Sequence, residues 1–184
     1  KLLLPQRSLV FCLCKNNIES LIGYYSFLEN KIVPLLLDSE IHEDLLENLI
    51  HIYKPNYIWA PTDKIIKFQK SNIIYSHNNY SLLHLKSNAN VKMFDSLALL
   101  LTTSGSTGSP KLVRLSYDNL LSNAISISKY LSIDKNERPI TTLPIHYSFG
   151  MSIINSHLIS GSTILLTDNS IFSPDFWKFL KLNK

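Results

Sequence analysis

The feature of this sequence that most constrains its fold is the alternation of short apolar runs with segments of helical periodicity. Apolar runs at 9–14, 32–37 and 57–60 have the length and residue types of buried strands, and helix-like segments separate them. Strands that alternate with helices are typical of layered α/β folds, in which a largely parallel sheet is flanked by helices. We therefore expect an α/β fold of this kind.

Caps and turn residues give the expected bounds of these elements. Asn16 or Asn17 can cap the first helix, Pro34 suggests an edge or an irregularity in strand 32–37, and Ser39 can open a second helix that runs to about Ile52. The expected inner face of the first helix is formed by Ile18, Leu21, Ile22, Tyr25 and Leu28. Further along, the expected elements are strands 96–103, 111–115, 139–143 and 162–167 and helices 116–131, 149–159 and one capped by Ser173.

Composition narrows the class of protein. Of 184 residues, 45% are hydrophobic and 17% are charged, which is the balance of a globular chain. The net charge of +4 comes from scattered lysines without interleaved aromatic residues, and this argues against nucleic-acid binding. No apolar stretch reaches the roughly 20 residues of a membrane span, and Cys12 and Cys14 fit small hydrophobes in a reduced compartment, so we expect a cytoplasmic protein.

A hydroxyl- and glycine-rich loop stands between the expected strands 96–103 and 111–115. Its ten residues are Thr102-Thr103-Ser104-Gly105-Ser106-Thr107-Gly108-Ser109-Pro110-Lys111. Two glycines let the backbone approach an anion closely, the hydroxyls supply donors that can reorient, and Lys111 adds a full positive charge. The loop therefore indicates a site for a polyphosphate, and the alternative is a flexible Ser/Gly hairpin turn with an incidental lysine. The nucleoside-triphosphatase loop needs Gly-Lys followed by Ser or Thr and then a helix, and this segment has neither.

Read as a whole string, Thr103 to Lys111 resembles the phosphate-binding signature of the AMP-forming adenylating superfamily. That superfamily includes acyl- and aryl-CoA synthetases, luciferases and the adenylation domains of peptide synthetases. The resemblance implies that the loop holds the β- and γ-phosphates of ATP. The residues matched to nucleotide binding are Thr103, Ser104, Gly105, Ser106, Thr107, Gly108 and Lys111.

A second segment, from Leu143 to Gly150, is similar to the superfamily's Pro-x-x-His-x-x-Gly segment beside the acyl or aryl pocket. His146, Tyr147 and Gly150 are then expected to line the acid-binding pocket, and the alternative is a histidine that is hydrogen-bonded locally for structure. The resemblance implies ATP and Mg²⁺ as cofactors, a carboxylic acid as substrate, and coenzyme A or a carrier-protein phosphopantetheine as acceptor. An acyl carrier protein is a possible partner, and the pocket segment favours an acyl- or aryl-CoA synthetase.

The chain also departs from the superfamily pattern. The Tyr-Gly-x-Thr-Glu segment with its magnesium-binding carboxylate, the ribose-binding aspartate and the C-terminal domain with its adenylation lysine have no match here. Because the chain begins at Lys1 rather than Met, we expect both ends to be cuts in a longer protein whose remainder is a partner of this chain. We expect residues 1–184 to be an incomplete N-terminal AMP-binding domain, divided at about residue 92 between a first α/β part and the part with the phosphate loop and acid pocket.

Such a fragment has no complete catalytic set and is expected to be inactive alone. Two other functions stay open for the sequence. One is a different phosphate-transferring enzyme with a hydroxyl-rich loop, and the other is a non-enzymatic nucleotide-binding or interaction module.

Overall fold

The structure is a computed structural model that describes residues 4–65, 72–85, 92–102 and 111–183. Within these ranges the strands are β1 Leu9–Cys14, β2 Val33–Asp38, β3 Tyr57–Pro61, β4 Asn72–His77, β5 Tyr80–His84, β6 Leu97–Thr102 and β7 Leu112–Ser116. The helices are α1 Ile18–Glu29, α2 Glu43–Tyr53, α3 Thr62–Ile65, α4 Tyr117–Tyr130, α5 Ser148–Ile159 and α6 Pro174–Leu182. The expected α/β fold is confirmed.

The seven strands form one sheet in the order β4-β5-β3-β1-β2-β6-β7. The four central strands are parallel, because β1 pairs in parallel with β2 and β3, and β2 with β6. Antiparallel strands extend the sheet at both sides, with the hairpin β4–β5 beside β3 and with β7 beside β6. The chain passes from β1 to β2 through α1 and from β2 to β3 through α2, and such crossovers between parallel strands are why the apolar runs alternate with helices in the sequence.

Helices cover both faces of the central strands. All six residues of β1 are buried, and Leu9, Phe11 and Leu13 pack in one core cluster with Leu46 and Leu49 of α2. On the opposite face, α1 lies against β3, because the Trp59 indole Nε1 donates to the Glu19 carbonyl at 3.1 Å. Strands buried on both faces are near-continuous apolar runs, as in 9–14.

The structure corrects the expected inner face of α1. Ile18 and Ile22 are 51% and 40% exposed, whereas Gly23, Tyr24 and Phe27 are buried. A Cβ on Gly23 would lie 2.4 Å from the Trp59 Nε1 atom, so the helix approaches the sheet through its glycine. The spacing of apolar side chains could not predict this contact, because glycine has no side chain and Gly23 is nevertheless the residue through which α1 approaches Trp59.

Of the two alternatives that Pro34 suggests, an edge strand is wrong, and the expected start of α2 at Ser39 is wrong as well. β2 is an internal strand, and Pro34 is tolerated there because pairing with β6 begins only at Leu35. α2 begins at Glu43, not at Ser39. The Ser39 amide donates to the Cys14 carbonyl at 3.1 Å, and Ser39 therefore joins the ends of β1 and β2 and does not cap a helix.

The chain forms two compact units. The sheet unit comprises Lys1–Cys14 and Glu19–Ser116, and the helical unit comprises Lys15–Ile18 and Tyr117–Lys184. The predicted division near residue 92 stays a prediction about the intact domain.

In the helical unit, the apolar runs at 139–143 and 162–167 do not form the expected strands. They meet through a single parallel bridge between Ile140 and Leu165, in which the Leu165 amide donates to the Pro139 carbonyl at 2.8 Å. Pro139 and Pro144 flank the first run and have no N–H to extend a ladder. The expected cap of α6 is confirmed, since the Ser173 hydroxyl accepts a hydrogen bond from the Asp175 amide at 3.2 Å.

Candidate functional site

The carboxyl ends of the four parallel strands lie at one edge of the sheet. The chain leaves β1 into α1 on one face and leaves β2 into α2 on the other face. In open α/β sheets, ligands bind in the crevice outside the strand ends where successive connections diverge in this way. The ends of β1 and β2 define such a point, and β6 lies directly beside β2.

The predicted phosphate loop connects two paired strands of this sheet, as the sequence indicates. β6 ends at Thr102, and Thr102 is opposite Leu112, the first residue of β7. The connection thus starts from the carboxyl edge of the parallel strands, with Lys111 immediately before β7. The loop residues Thr103, Ser104, Gly105, Ser106, Thr107 and Gly108 lie outside the described residues.

An exposed ion pair follows the neighbouring strand ends. Lys64 Nζ lies 2.6 Å from Glu40 Oε2, and this hydrogen bond is the main reason that the pKa of Lys64 is raised. Because Lys64 is paired with a carboxylate, its charge is largely offset locally. Lys111 is the lysine of the predicted loop itself, and it directly precedes β7.

The second predicted site segment forms the entry to α5. His146 is buried at 8% exposure, and its ring lies 4.5 Å from the ring of Tyr147, which is 55% exposed. The Tyr147 amide donates to the Pro144 carbonyl at 3.1 Å, and α5 then begins at Ser148. The turn thus holds a buried imidazole beside an exposed phenol at a helix entrance.

Gly150 has a steric role in this turn. A Cβ at this position would lie 2.3 Å from the Pro144 carbonyl oxygen and 2.5 Å from that of Leu143. The first turn of α5 therefore packs directly on the carbonyls that precede His146. This contact gives a physical reason for the glycine at this position, and its role in an acid pocket stays a prediction. Counted from Pro144, the histidine position of the Pro-x-x-His-x-x-Gly pattern is occupied by Tyr147, and His146 precedes it by one residue.

The predicted site residues are divided between the two units. Lys111 belongs to the sheet unit, and His146, Tyr147 and Gly150 belong to the helical unit. Within the described ranges, no group of three or more His, Cys, Asp or Glu side chains could hold a metal ion. No helix in those same ranges is long and apolar enough to cross a membrane.

The two cysteines are free thiols inside the sheet. Burial raises the pKa of Cys12 well above its ordinary value and that of Cys14 to about 12. A thiol in such surroundings is neither a nucleophile nor a metal ligand at neutral pH. Both residues act as small core hydrophobes, as the sequence predicts.

The fold and the loop position define a class of α/β proteins that bind ligands at the carboxyl edge of a sheet. A sequence model described as AMP-binding enzyme matches residues 4–184 of this chain. The chain therefore belongs to the AMP-binding enzyme family. The expected membership of the adenylating superfamily is thereby confirmed.

Curated relatives match over parts of the chain. A very long-chain fatty acid transport protein of Cochliobolus heterostrophus is 32% identical over 83 residues, which are 45% of this chain and 13% of the relative. A 2-succinylbenzoate–CoA ligase of Staphylococcus aureus is 28% identical over 100 residues, which are 52% of this chain and 20% of the ligase.

Solved structures share the fold over nearly the whole chain. Apo MatB from Rhodopseudomonas palustris superposes with a TM-score of 0.73 at 22% identity, covering 97% of this chain and 38% of MatB. O-succinylbenzoate coenzyme A synthetase (MenE) from Bacillus subtilis, in complex with ATP and magnesium ion, gives 0.71 at 17% identity, covering 97% and 49%. This chain thus spans less than half the length of each of these proteins.

The sheet unit also contains a cavity that no sequence pattern indicates. A cavity of about 700 Å³ lies on the α1 face of the sheet, with Tyr57, Trp59, Tyr75 and Leu82 among its lining residues. These residues come from three neighbouring strands of the sheet and are spread over residues 57–82 of the sequence, so no local motif indicates the cavity.

Proposed function

We propose that this chain supplies the phosphate loop and the acid-pocket segment of an enzyme that activates a carboxylic acid with ATP. The substrate carboxylate attacks the α-phosphate of MgATP in line, the bond from the α-phosphorus to the bridging oxygen of pyrophosphate breaks, and an acyl-adenylate forms. A thiol, from coenzyme A or a carrier-protein phosphopantetheine, then captures the acyl group and releases AMP. The enzyme is an acid–thiol ligase of the acyl-CoA synthetase type.

The observation that carries this proposal is the position of Lys111 within the AMP-binding family match. Lys111 directly precedes β7, opposite the end of β6 and at the carboxyl edge of the parallel strands. Negative charge accumulates on the departing pyrophosphate. The Lys111 ammonium and the N–H and hydroxyl donors of residues 103–108 would stabilise that charge, and one such donor is worth about 3 kcal/mol in a transition state.

We propose no magnesium ligand among the described residues of this chain. The described acidic residues form no cluster that would hold the ion, and the steps assigned here to the chain are phosphate binding and acid binding. His146 and Tyr147 are assigned to the acid pocket because the turn before α5 presents an exposed ring next to a buried imidazole. We assign no proton transfer to His146.

The test is ATP–pyrophosphate exchange across a panel of carboxylic acids, measured on the protein expressed from its whole natural coding sequence. We expect exchange that depends on one class of acid. Lys111→Met should lower the exchange rate by about 100-fold, whereas Lys178→Met, at an exposed position of α6, should leave it within about twofold. His146→Ala should raise the KM for the acid more than that for ATP, and His51→Ala, on the exposed side of α2, is its control.

The two other functions predict different outcomes. A different phosphate-transferring enzyme would release the γ-phosphate without exchange of pyrophosphate. A nucleotide-binding module would bind ATP and catalyse neither reaction. If ATP shifts neither the Gly105 nor the Gly108 amide signal in NMR spectra, the phosphate-loop assignment itself is wrong.

A further inference from the structure

We propose that the α1 face of the sheet holds a second ligand site, which takes an uncharged planar apolar molecule. The site is the cavity of about 700 Å³ between α1 and strands β3, β5 and β4, and we call it the α1 cavity. Its volume is within the range of ligand pockets, which is about 300–1,000 Å³. It shares no residue with the phosphate loop or the His146 segment, so this proposal is independent of the adenylation proposal.

The floor of the α1 cavity is aromatic and fixed in place. Trp59 is only 3% exposed, and its Nε1 donates to the Glu19 carbonyl at 3.1 Å, so the polar atom of the indole is satisfied. Gly23 lies against the indole so closely that a Cβ would come within 2.4 Å of Nε1. An aromatic surface that is held on two sides is already ordered before a ligand arrives, and this lowers the entropic cost of binding.

A bulge in the edge strand builds the outer wall. The register of β4 against β5 shifts between Ile73 and Tyr75. Strict alternation would send neighbouring side chains to opposite faces, yet both Ile74 and Tyr75 line the cavity, and Ile73 does not. Tyr75 stacks on Trp59 with ring centroids 6.3 Å apart and planes at 24°. Tyr75, which is 54% exposed, is thus the accessible member of an aromatic pair, and its ring offers a flat surface to a planar ligand.

The cavity exposes apolar surface to solvent. Ile22, Ile74 and Tyr75 all line the cavity and are 40%, 48% and 54% exposed. Contiguous exposed apolar surface of this kind marks a binding site more often than isolated exposed side chains do. A ligand that covers these three side chains would remove that surface from water.

The polar rim selects against anions. Glu29 supplies a carboxylate to the lining, and the other polar side chains there are those of Ser26, Asn30, Tyr57, Trp59, Tyr75 and His84. A ligand carboxylate or sulfonate would meet the Glu29 charge at an apolar, partly desolvated surface. The α1 cavity is therefore unsuited to the carboxylic acid that the proposed enzyme would activate.

Trp59 permits a direct binding test on the 184-residue chain. The chain has two tryptophans, and Trp177, 52% exposed on α6, can be changed to Phe so that Trp59 is the sole indole. Titration with the neutral dye N-phenylnaphthylamine should give saturable one-to-one quenching of Trp59 with a Kd of about 10 µM. Dye fluorescence without any change in Trp59 emission would overturn the proposal.

Two neighbouring isoleucines provide a matched pair of variants. Ile74→Arg places a charge in the cavity and should weaken dye binding by about tenfold or more, whereas Ile73→Arg should leave it within about twofold. Both residues are about half exposed on the same strand, so their effects on folding should be similar. If both variants weaken binding equally, the dye binds the strand edge or a second copy of the chain paired through β4, and the cavity proposal fails.

Two further substitutions and a second dye test the proposal if Ile74→Arg does not fold. Ser26→Leu fills the cavity from α1 with a good helix former and should also abolish the quenching of Trp59. The anionic analogue anilinonaphthalenesulfonate should bind about tenfold more weakly than the neutral dye, and Glu29→Gln should narrow that difference. Equal binding of the two dyes to the unchanged chain would refute the charge selection.

Discussion

In the sheet unit every residue of β1 is buried, and the strand pairs on both sides. In the helical unit the apolar runs at 139–143 and 162–167 meet through one bridge, and Tyr130 and Phe172 are 87% and 90% exposed. The two runs of the helical unit mix Ile and Leu with Thr, whereas β1 contains no polar residue. The difference teaches that an apolar run becomes a strand only where neighbouring backbone is available to pair with it, since an isolated strand leaves its N–H and C=O groups unsatisfied.

The comparison predicts that the same substitution has very different costs in the two units. Phe11→Ala removes a fully buried ring from β1 and should lower the free energy of unfolding by about 3–5 kcal/mol. Phe172→Ala removes an almost fully exposed ring and should change it by less than about 0.5 kcal/mol. Urea denaturation followed by Trp59 and Trp177 fluorescence measures the free energy of unfolding of both variants. A loss above about 2 kcal/mol for Phe172→Ala would show that this ring is buried in solution.

Within the helical unit, the next largest effect is expected at Gly150. Gly150→Ala forces a Cβ against the Pro144 carbonyl oxygen at 2.3 Å and should destabilise the unit by about 1–3 kcal/mol. Gly161 has a φ of +78°, and an added Cβ would lie 3.6 Å from the Lys135 Cβ, which is ordinary van der Waals contact, so Gly161→Ala should cost about 1 kcal/mol through backbone strain alone.

Substitution by Asn distinguishes backbone strain at Gly161 from steric crowding at Gly150. Gly161→Asn should recover part of the stability lost in Gly161→Ala because Asn tolerates positive φ. Gly150→Asn should be worse than Gly150→Ala because the obstacle there is space. If Asn were equally tolerated at both positions, the contact between α5 and the Pro144 carbonyl would not exist in solution.

A smaller effect is expected at the start of α6. Ser173→Ala removes the hydroxyl that accepts from the Asp175 amide and should cost about 1 kcal/mol. Ser173→Asp keeps an acceptor at the same position and should retain most of the stability. Thermal unfolding followed by circular dichroism compares the three proteins, and equal melting temperatures for Ser and Ala would rule out the cap.

The smallest effect is expected for the exposed pair of Lys64 and Glu40 in the sheet unit. Lys64→Met should cost less than about 0.5 kcal/mol, because water and salt screen an exposed pair. The hydrogen bond to Glu40 raises the pKa of Lys64 in the folded chain above its unfolded value. The contribution is therefore complete at pH below the unfolded lysine pKa, and it is lost as the pH rises through the folded one. Denaturation at neutral and alkaline pH, in low and high salt, measures this change, and a pair that was stronger at high salt would contradict it.

Local chemistry explains which elements could be predicted. The run Leu9–Cys14 has no polar residue, and a strand of that composition is stable only inside a sheet. Ser173, Pro174 and Asp175 satisfy the first amides of a helix by themselves, so the start of α6 needs no other part of the chain. The strands on either side of the phosphate loop were likewise visible, because Gly and Ser punctuate two apolar runs.

The mispredicted elements depend on residues that are distant in sequence. Ser39 is a good cap in isolation, but its amide bonds to Cys14 of the neighbouring strand, and α2 starts four residues later. The buried face of α1 is set by the contact of Gly23 with Trp59, which is 36 residues away (59 − 23). Neither interaction leaves a periodic signal near the residue that it controls.

The sequence by itself determined the α/β class, the place of the hydroxyl- and glycine-rich loop between two strands, and the family signature, because these depend on neighbouring residues. Only the tertiary structure decided that β2 is internal despite Pro34, that Gly150 fits against the Pro144 carbonyl, and that Trp59 and Tyr75 line one cavity. The reason is physical: burial and steric contact are properties of pairs of residues, and those pairs exist only after distant segments have packed together.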